Sequence, residues 1–129
     1  MSARLAGRIR RSVRRASVAG VAAAGLFVAA CSGNAEPPSC ENPRAATSVA
    51  MGDFFYEPGC IDAAAGEDLE IVNEGNTPHT FTVEASIEAD ADVAAGDRAT
   101  LTVPDIEPGT YRVVCTYHPQ MEAALRISG

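Results

Sequence analysis

The sequence predicts an all-β domain from Ser48 to Gly129, with the architecture of a Greek-key β-sandwich of about 7–8 strands. Two observations lead to this prediction. Apolar and polar residues alternate in units of about five residues, which is the pattern of a strand with one buried face. Turn-forming Gly, Pro and Asn residues separate these units, and no segment after Ser48 keeps a helical stripe. The alternation by itself fits either an antiparallel sandwich or a barrel.

The alternation can be followed strand by strand. Five segments show it, each with one set of alternate residues directed to the core: DLEIV (68–72), HTFTV (79–83), ATLTV (99–103), YRVVC (111–115) and EAALRI (122–127). The segments EGNTP and EPGT read as turns between strands. The acidic segment Ile87–Asp97 is expected to form a helical turn or a loop, and its carboxylates do not have the spacing of a Ca²⁺ loop.

The first 30 residues predict an export signal. Residues 1–17 contain six arginines and no acidic residue, and residues 18–30 are apolar. This apolar stretch is shorter than the roughly 20 residues that a membrane-spanning helix needs, so a cleaved signal is the better interpretation. The pairs Arg10-Arg11 and Arg14-Arg15 leave open whether the general or the twin-arginine export route is used.

The signal ends in VAAC, which resembles the lipobox of bacterial lipoproteins. That resemblance implies that Cys31 is the lipidated first residue of the mature protein. The alternative is ordinary cleavage that leaves Cys31 as a free thiol, which is a liability in an oxidising compartment. We therefore expect an extracytoplasmic protein with a lipid anchor in the cell membrane.

Residues 31–47 are expected to form a flexible tether between the lipidated cysteine and the domain. They are small, polar and rich in proline, and they show no hydrophobic period. A coil of about 16 residues spans roughly 20–25 Å, which is enough to hold a small domain away from a membrane surface.

The charge of the chain excludes nucleic acid as a partner. Without residues 1–30, four arginines remain against 17 acidic residues, a formal charge of 4 − 17 = −13. Such a surface repels phosphate backbones. It would attract a redox partner with a basic docking face, although an acidic surface also serves solubility.

The segment CTYHPQM contains three side chains that can bind a metal: Cys115, His118 and Met121. His79 is the fourth candidate, because strand parity directs both His79 and Cys115 to the core. Two imidazoles, a thiolate and a weak thioether form the ligand set of a blue-copper electron-transfer centre. Zinc could take the thiolate and the imidazoles, but a thioether is a poor ligand for zinc.

Each candidate ligand also has an ordinary interpretation. Cys115 could be an inert buried thiol, His79 a hydrogen-bonded core histidine and Met121 a filler of the core. The chain has only two histidines, however, and both occupy ligand positions. We therefore interpret the four residues together as a metal site.

The segments from Val49 to Val83 and from Pro108 to Gly129 resemble the cupredoxins, on the side of amicyanin and plastocyanin. The spacing Cys-x2-His-x2-Met is similar to the short ligand loop of amicyanins. Tyr117 stands where that family often has proline, and Thr80 where some members have asparagine. The resemblance implies one copper ion and an electron port at the loop histidine, His118, with Tyr117 and Pro119 beside it. A loop covered by the tether would move this port elsewhere.

With Cys31 assigned to lipid and Cys115 to copper, Cys40 and Cys60 remain as a disulfide pair. The alternative is a pair that includes Cys115, which would destroy the copper site. The expected protein is a monomeric one-electron carrier that is not an enzyme and that works with redox partner proteins. Two other hypotheses are a copper chaperone or scavenger with a similar site, and a structural lipoprotein without metal.

Overall fold

The computed structural model describes residues 35–129. The expected export signal and the lipidation residue Cys31 lie outside the described residues. Within residues 35–129 there are ten strands and no helix, and so no helix long and apolar enough to span a membrane. The strands are β1 (Arg44–Ala45), β2 (Ser48–Gly52), β3 (Phe55–Glu57), β4 (Cys60–Ala64), β5 (Asp68–Asn73), β6 (His79–Val83), β7 (Asp90–Val93), β8 (Arg98–Thr102), β9 (Gly109–Val114) and β10 (Glu122–Ser128).

The strands form two sheets, which confirms the predicted β-sandwich. One sheet has the order β1-β4-β10-β9-β6-β7 and the other has the order β3-β2-β5-β8. The sheets are mixed rather than purely antiparallel, because β4 pairs in parallel with β1 and β10, and β2 pairs in parallel with β5. Alternation of side chains reports which face of a strand is buried and carries no information about the direction of its neighbour.

The short strand β7 lies within the acidic segment that was expected to form a helical turn or a loop. Its partner is β6, with His79 opposite Val93 and Phe81 opposite Ala91. Ala91 and Val93 are buried, whereas Asp90 and Asp92 are exposed. The prediction missed this strand because alternation over only four residues, two of them acidic, is a weak signal against a background of loop-forming residues.

The core lies between the two sheets, where the inward residues of both meet. It contains alternate residues that the sequence predicted for β5, β6, β8, β9 and β10, and these are buried: Leu69, Ile71, Phe81, Val83, Leu101, Val113, Leu125 and Ile127. Tyr111, also predicted to face inward, is only partly buried. His79 is buried in the same layer, and its side chain reaches the end of the sandwich where β6 begins. The fold therefore places one imidazole at the edge of an apolar core.

The second half of the segment that was expected to form a flexible tether is attached to the sandwich. Arg44 and Ala45 of β1 pair with Ile61 and Asp62 of β4. Cys40 and Cys60 form the predicted disulfide, which closes a loop with a sequence separation of 20 residues. A loop of this length contributes about 3 kcal/mol to stability on the chain-entropy account. The domain boundary at Ser48 stays a prediction.

Candidate metal centre

Three donor atoms from two parts of the chain converge at one end of the sandwich. The Nδ1 atoms of His79 and His118 are 3.1 Å apart. The Sγ atom of Cys115 is 3.8 Å from Nδ1 of His79 and 3.5 Å from Nδ1 of His118. His79 is the first residue of β6, and Cys115 directly follows β9, so two strands of the same sheet supply the buried donors.

Backbone hydrogen bonds close the loop from Cys115 to Met121 into two successive turns. The amide of His118 donates to the carbonyl of Cys115, and the amide of Met121 donates to the carbonyl of His118. The amide of Cys115 donates in return to the carbonyl of Met121. Hydrogen bonds between residues i and i+3 are typical of β-turns, which bring the two ends of the turn close together. The spacing of three residues thus brings Cys115, His118 and Met121 together.

Met121, the last residue of this loop, is fully buried and is followed by β10. Its position at the closure of the loop keeps it within the core layer next to the three donors. The structure thus brings Met121 to the same end of the sandwich as His79, Cys115 and His118. The assignment of its sulfur as a weak axial ligand stays a prediction.

Thr80 links the two strands that carry the buried donors. Its amide donates to Sγ of Cys115 at 3.3 Å, and its hydroxyl oxygen accepts from the amide of Thr116 at 2.9 Å. A hydrogen bond to a thiolate stabilises the charged form of the sulfur. Thr80 therefore forms, with a hydroxyl, a cross-strand link at the position where some resembling proteins have asparagine.

The backbone of Thr80 is held from the other side by Tyr56. The Tyr56 hydroxyl donates to the carbonyl of Thr80 at 2.6 Å. Burial raises the pKa of Tyr56 well above its ordinary value, so this hydroxyl stays protonated and remains a donor. The peptide next to His79 is thus fixed by hydrogen bonds in the core as well as by the sheet.

The far side of the His79 ring faces polar groups of two turns. Its Nε2 atom lies 3.4 Å from Oγ1 of Thr77 and 3.6 Å from Oδ1 of Asp53. Hydrogen bonds from Asn76 hold the pKa of the Asp53 carboxyl below its usual value, so a negative charge faces this edge of the imidazole. Groups that contact the second nitrogen of a ligating histidine orient its ring and fix its tautomer.

The loop that precedes His79 is organised by one buried amide. Asn73 is 1% exposed, and its Nδ2 atom donates to the carbonyls of Thr77 and Val93, both at 2.9 Å. Its Oδ1 atom accepts from the amide of Gly75 at 2.9 Å. These three bonds bridge the end of β5, the loop before β6 and the end of β7, so they determine where β6 begins.

The metal centre approaches the protein surface at the loop that carries His118. His118 is partly exposed, Tyr117 is 50% exposed and Pro119 is exposed. The Tyr117 hydroxyl donates to the carboxylate of Asp92 on β7, and this bond raises the pKa of Tyr117. Among the described residues, this loop is therefore exposed and is not covered by the segment that was expected to act as a tether.

Sequence reasoning identified the four candidate ligands and missed the residues that hold them. Asp53 carried no local signal of a role at the centre, and Asn73 carried only a weak one. An asparagine at the inward position of an apolar strand was the one signal available, because a buried amide needs several hydrogen-bond partners. The role of Asp53 depends on its approach to His79, which is distant in sequence, so no pattern near Asp53 could report it.

The donors present fit a single copper ion. A buried thiol and two imidazoles, whose ligand atoms all lie within 4.8 Å of one another, match the donor set that copper takes in blue-copper centres. The fully buried thioether of Met121 in the same region favours copper over zinc, which binds thioethers poorly. The fold and these residues thus form one copper site.

Comparisons with known proteins identify the family and agree with the fold. The family model described as a cupredoxin-like domain matches residues 20–126. A reduced mutant form of amicyanin is 25% identical to this chain, with a TM-score of 0.53. The match covers 68% of this chain and 87% of the amicyanin chain. The purple cupredoxin from Nitrosopumilus maritimus is 18% identical, covers 64% of this chain and 99% of its own, and gives a TM-score of 0.52.

A copper enzyme also contains this fold. The Cu-containing nitrite reductase from Thermus scotoductus SA-01 is 21% identical over 73% of this chain, with a TM-score of 0.53. The match covers only 25% of the reductase chain. This similarity therefore concerns the fold of one part of that enzyme.

Proposed function

Because the chain belongs to the cupredoxin-like family, we propose that it is a mononuclear blue-copper electron carrier with His79, Cys115, His118 and Met121 as ligands. The observation that carries the proposal is the convergence of two imidazole nitrogens and one thiol sulfur at the edge of an apolar core. Copper, when bound there, supplies a reversible one-electron couple.

The residues of the chain serve this role by holding the donors still. His79 and Cys115 are at most 1% exposed and are fixed through Thr80, so they have little freedom to rearrange between oxidation states. A site that keeps its geometry avoids the reorganisation that slows electron transfer. His118, which is partly exposed and lies between Tyr117 and Pro119, is the proposed electron port.

The rival functions differ in measurable ways. A chaperone or scavenger needs ready release of its metal, and the burial of Cys115 and His79 behind the sheet disfavours exchange. An enzyme of the nitrite reductase kind needs a substrate site in addition to the copper ligands, and both histidines of this chain are already assigned as ligands. The carrier requires only the centre and a surface for partners.

The proposal extends to the partner surface. Around His118, the exposed aromatic residues Phe54 and Tyr117 are accompanied by the carboxylates of Asp53 and Asp92. In the described part of the chain all four arginines are engaged in ion pairs, at 2.7–3.2 Å: Arg44 with Glu57, Arg98 with Glu70, Arg112 with Glu84 and Glu122, and Arg126 with Asp62. The remaining acidic charge favours a redox partner with a basic docking face.

Localisation forms the last part of the proposal. The apolar segment that ends in VAAC supports a mature protein that is anchored by lipid on Cys31 at the outer face of the cell membrane. Two acyl chains or more give stable anchoring, and the acidic domain would then meet its partners near the membrane.

We predict that the oxidised, copper-loaded chain is blue and that Cys115→Ser abolishes its intense absorption at about 600 nm. The band requires a thiolate bound to Cu(II), and among the described residues Cys115 is the free cysteine. Visible spectra of both proteins, with circular dichroism to confirm folding, provide the test. A folded serine variant that keeps the colour would show that the ligand assignment is wrong.

We predict that Met121 sets the reduction potential. Met121→Leu removes a donor that stabilises Cu(II), so the potential should rise while the blue colour remains. Met121→Gln offers a harder oxygen donor, so the potential should fall. Cyclic voltammetry on the three proteins decides the matter, and equal potentials would show that Met121 only fills the core.

We predict opposite salt dependences for two oxidants of the reduced protein. The rate with a cationic cobalt phenanthroline complex should fall as salt is added, and the rate with anionic hexacyanoferrate should rise. Asp92→Asn, next to the proposed port, should weaken the first effect. The matched control is Asp105→Asn, in the loop before β9, at the opposite end of that strand from Cys115. Equal effects of the two variants would contradict docking at His118.

We predict that the protein fractionates with membranes and that Cys31→Ala releases it or leaves an unprocessed precursor. The reason is that the lipid would be attached through the Cys31 thiol. Immunoblots of membrane and soluble fractions give the answer. Unchanged processing and unchanged membrane association of the variant would exclude the lipid anchor.

A further inference from the structure

The turn between β2 and β3 contains a residue in an unfavourable conformation next to the metal centre. This turn has two residues, Asp53 and Phe54, between the paired ends Gly52 and Phe55. Phe54 has a φ of 73°, and among the described residues it is the one non-glycine residue with positive φ. Glycine or asparagine suits such a position, and a bulky side chain there is strained.

The Phe54 ring lies against both histidines of the centre. It packs edge-to-face on His118, with ring centroids 4.9 Å apart and planes at 89°. It is also 6.5 Å from the His79 ring, at an angle of 77°. Although it makes these contacts, Phe54 is 51% exposed, so it stands between the imidazoles and solvent.

The turn is anchored so that the ring is directed to this position. The Asp53 carboxylate accepts from the amide and from Nδ2 of Asn76, both at 2.9 Å. The turn also approaches Gly75 closely, since a Cβ atom on Gly75 would lie 2.6 Å from Oδ1 of Asp53. The residue directly after Asp53 is thereby held over the loop that carries His118.

Backbone strain at an observed outlier that the surrounding structure holds in place, here through Asp53, is characteristic of positions with a functional role. We propose that Phe54 is an aromatic cap and a positioning residue: its ring holds the His118 imidazole against Cys115 and restricts access of solvent to the donor atoms. The function of this cap rests on the proposed copper site, but the contacts from which it is inferred are formed between residues of the chain without a metal.

The two histidines differ in how their rings are held in place. His79 is fully buried, whereas His118 lies in a surface loop and is partly exposed, with its ring in contact with His79, Cys115 and Phe54. An edge-to-face contact with an aromatic ring favours one orientation of the imidazole over others. Removal of the ring should therefore free His118 and leave His79 unchanged.

The first test measures the reactivity of the two histidines in the metal-free full chain. Diethyl pyrocarbonate modifies accessible neutral imidazoles, and mass spectrometry of peptides reports His79 and His118 separately. Phe54→Gly should raise the modification rate of His118 by roughly 2- to 10-fold, the change expected for the loss of an edge-to-face contact. His79, which is 0% exposed, should remain unmodified and serves as the internal reference.

Matched variants separate the cap from a general loosening of the fold. Phe54→Gly should unfold at no lower urea concentration than the parent, because glycine adopts a positive φ without strain. Phe54→Tyr keeps an aromatic ring at this position, so His118 should be modified as slowly as in the parent. Phe55→Ala removes a neighbouring ring that is 56% exposed and packs over Gly52, and it should leave the His118 rate unchanged.

The second test uses the copper-loaded chain. Release of copper to an excess of chelator should be faster by a similar factor in Phe54→Gly than in the parent and in Phe55→Ala. An unchanged His118 rate in Phe54→Gly, or an equal rise in Phe55→Ala, would overturn the cap. Failure of the copper proposal would appear differently, as a parent protein without a blue band, while the modification rates would still report on the cap.

Discussion

The structure depends on placing a thiol and an imidazole inside an apolar core, where polar groups are costly unless their partners are fixed. Cys115 and His79 satisfy this requirement through the chain itself. The amide of Thr80 donates to the sulfur, and the hydroxyl of Thr80 joins the two strands that carry the donors. The other edge of His79 meets Thr77 and Asp53. The remaining open direction of each donor is toward the other donors, and a bound metal ion would satisfy it.

The loops at this end of the sandwich act as supports for that arrangement. The Asn73 amide connects three segments, and the Cys115–Met121 loop closes on itself through backbone hydrogen bonds. At the opposite end of β9, no candidate ligand follows from sequence or structure among the described residues. The candidate ligands thus lie together at one end of the sandwich, with His79 at the start of β6 and the others in or next to the loop after β9.

Most of the fold class and the identity of the donors could be predicted from local patterns. Alternation in HTFTV and YRVVC directed His79 and Cys115 to the core, and the spacing in CTYHPQM identified the other two candidates. The strand β7, the parallel pairing of β2 with β5 and the contacts of Asp53 could not be predicted in this way. The alternation in β7 covers only four residues and is too weak to predict a strand. The other two features arise from segments that are distant in sequence and meet only in the folded chain, so no local period encodes them.

The central claim is that one sulfur and two imidazole nitrogens bind copper and stay bound in both oxidation states. X-ray absorption at the copper edge tests it most directly, on the full chain loaded with copper and measured before and after reduction. The account predicts one sulfur and two nitrogen scatterers near the metal, with the same set after reduction. A first shell without sulfur, or a set of ligands that changes on reduction, would contradict it.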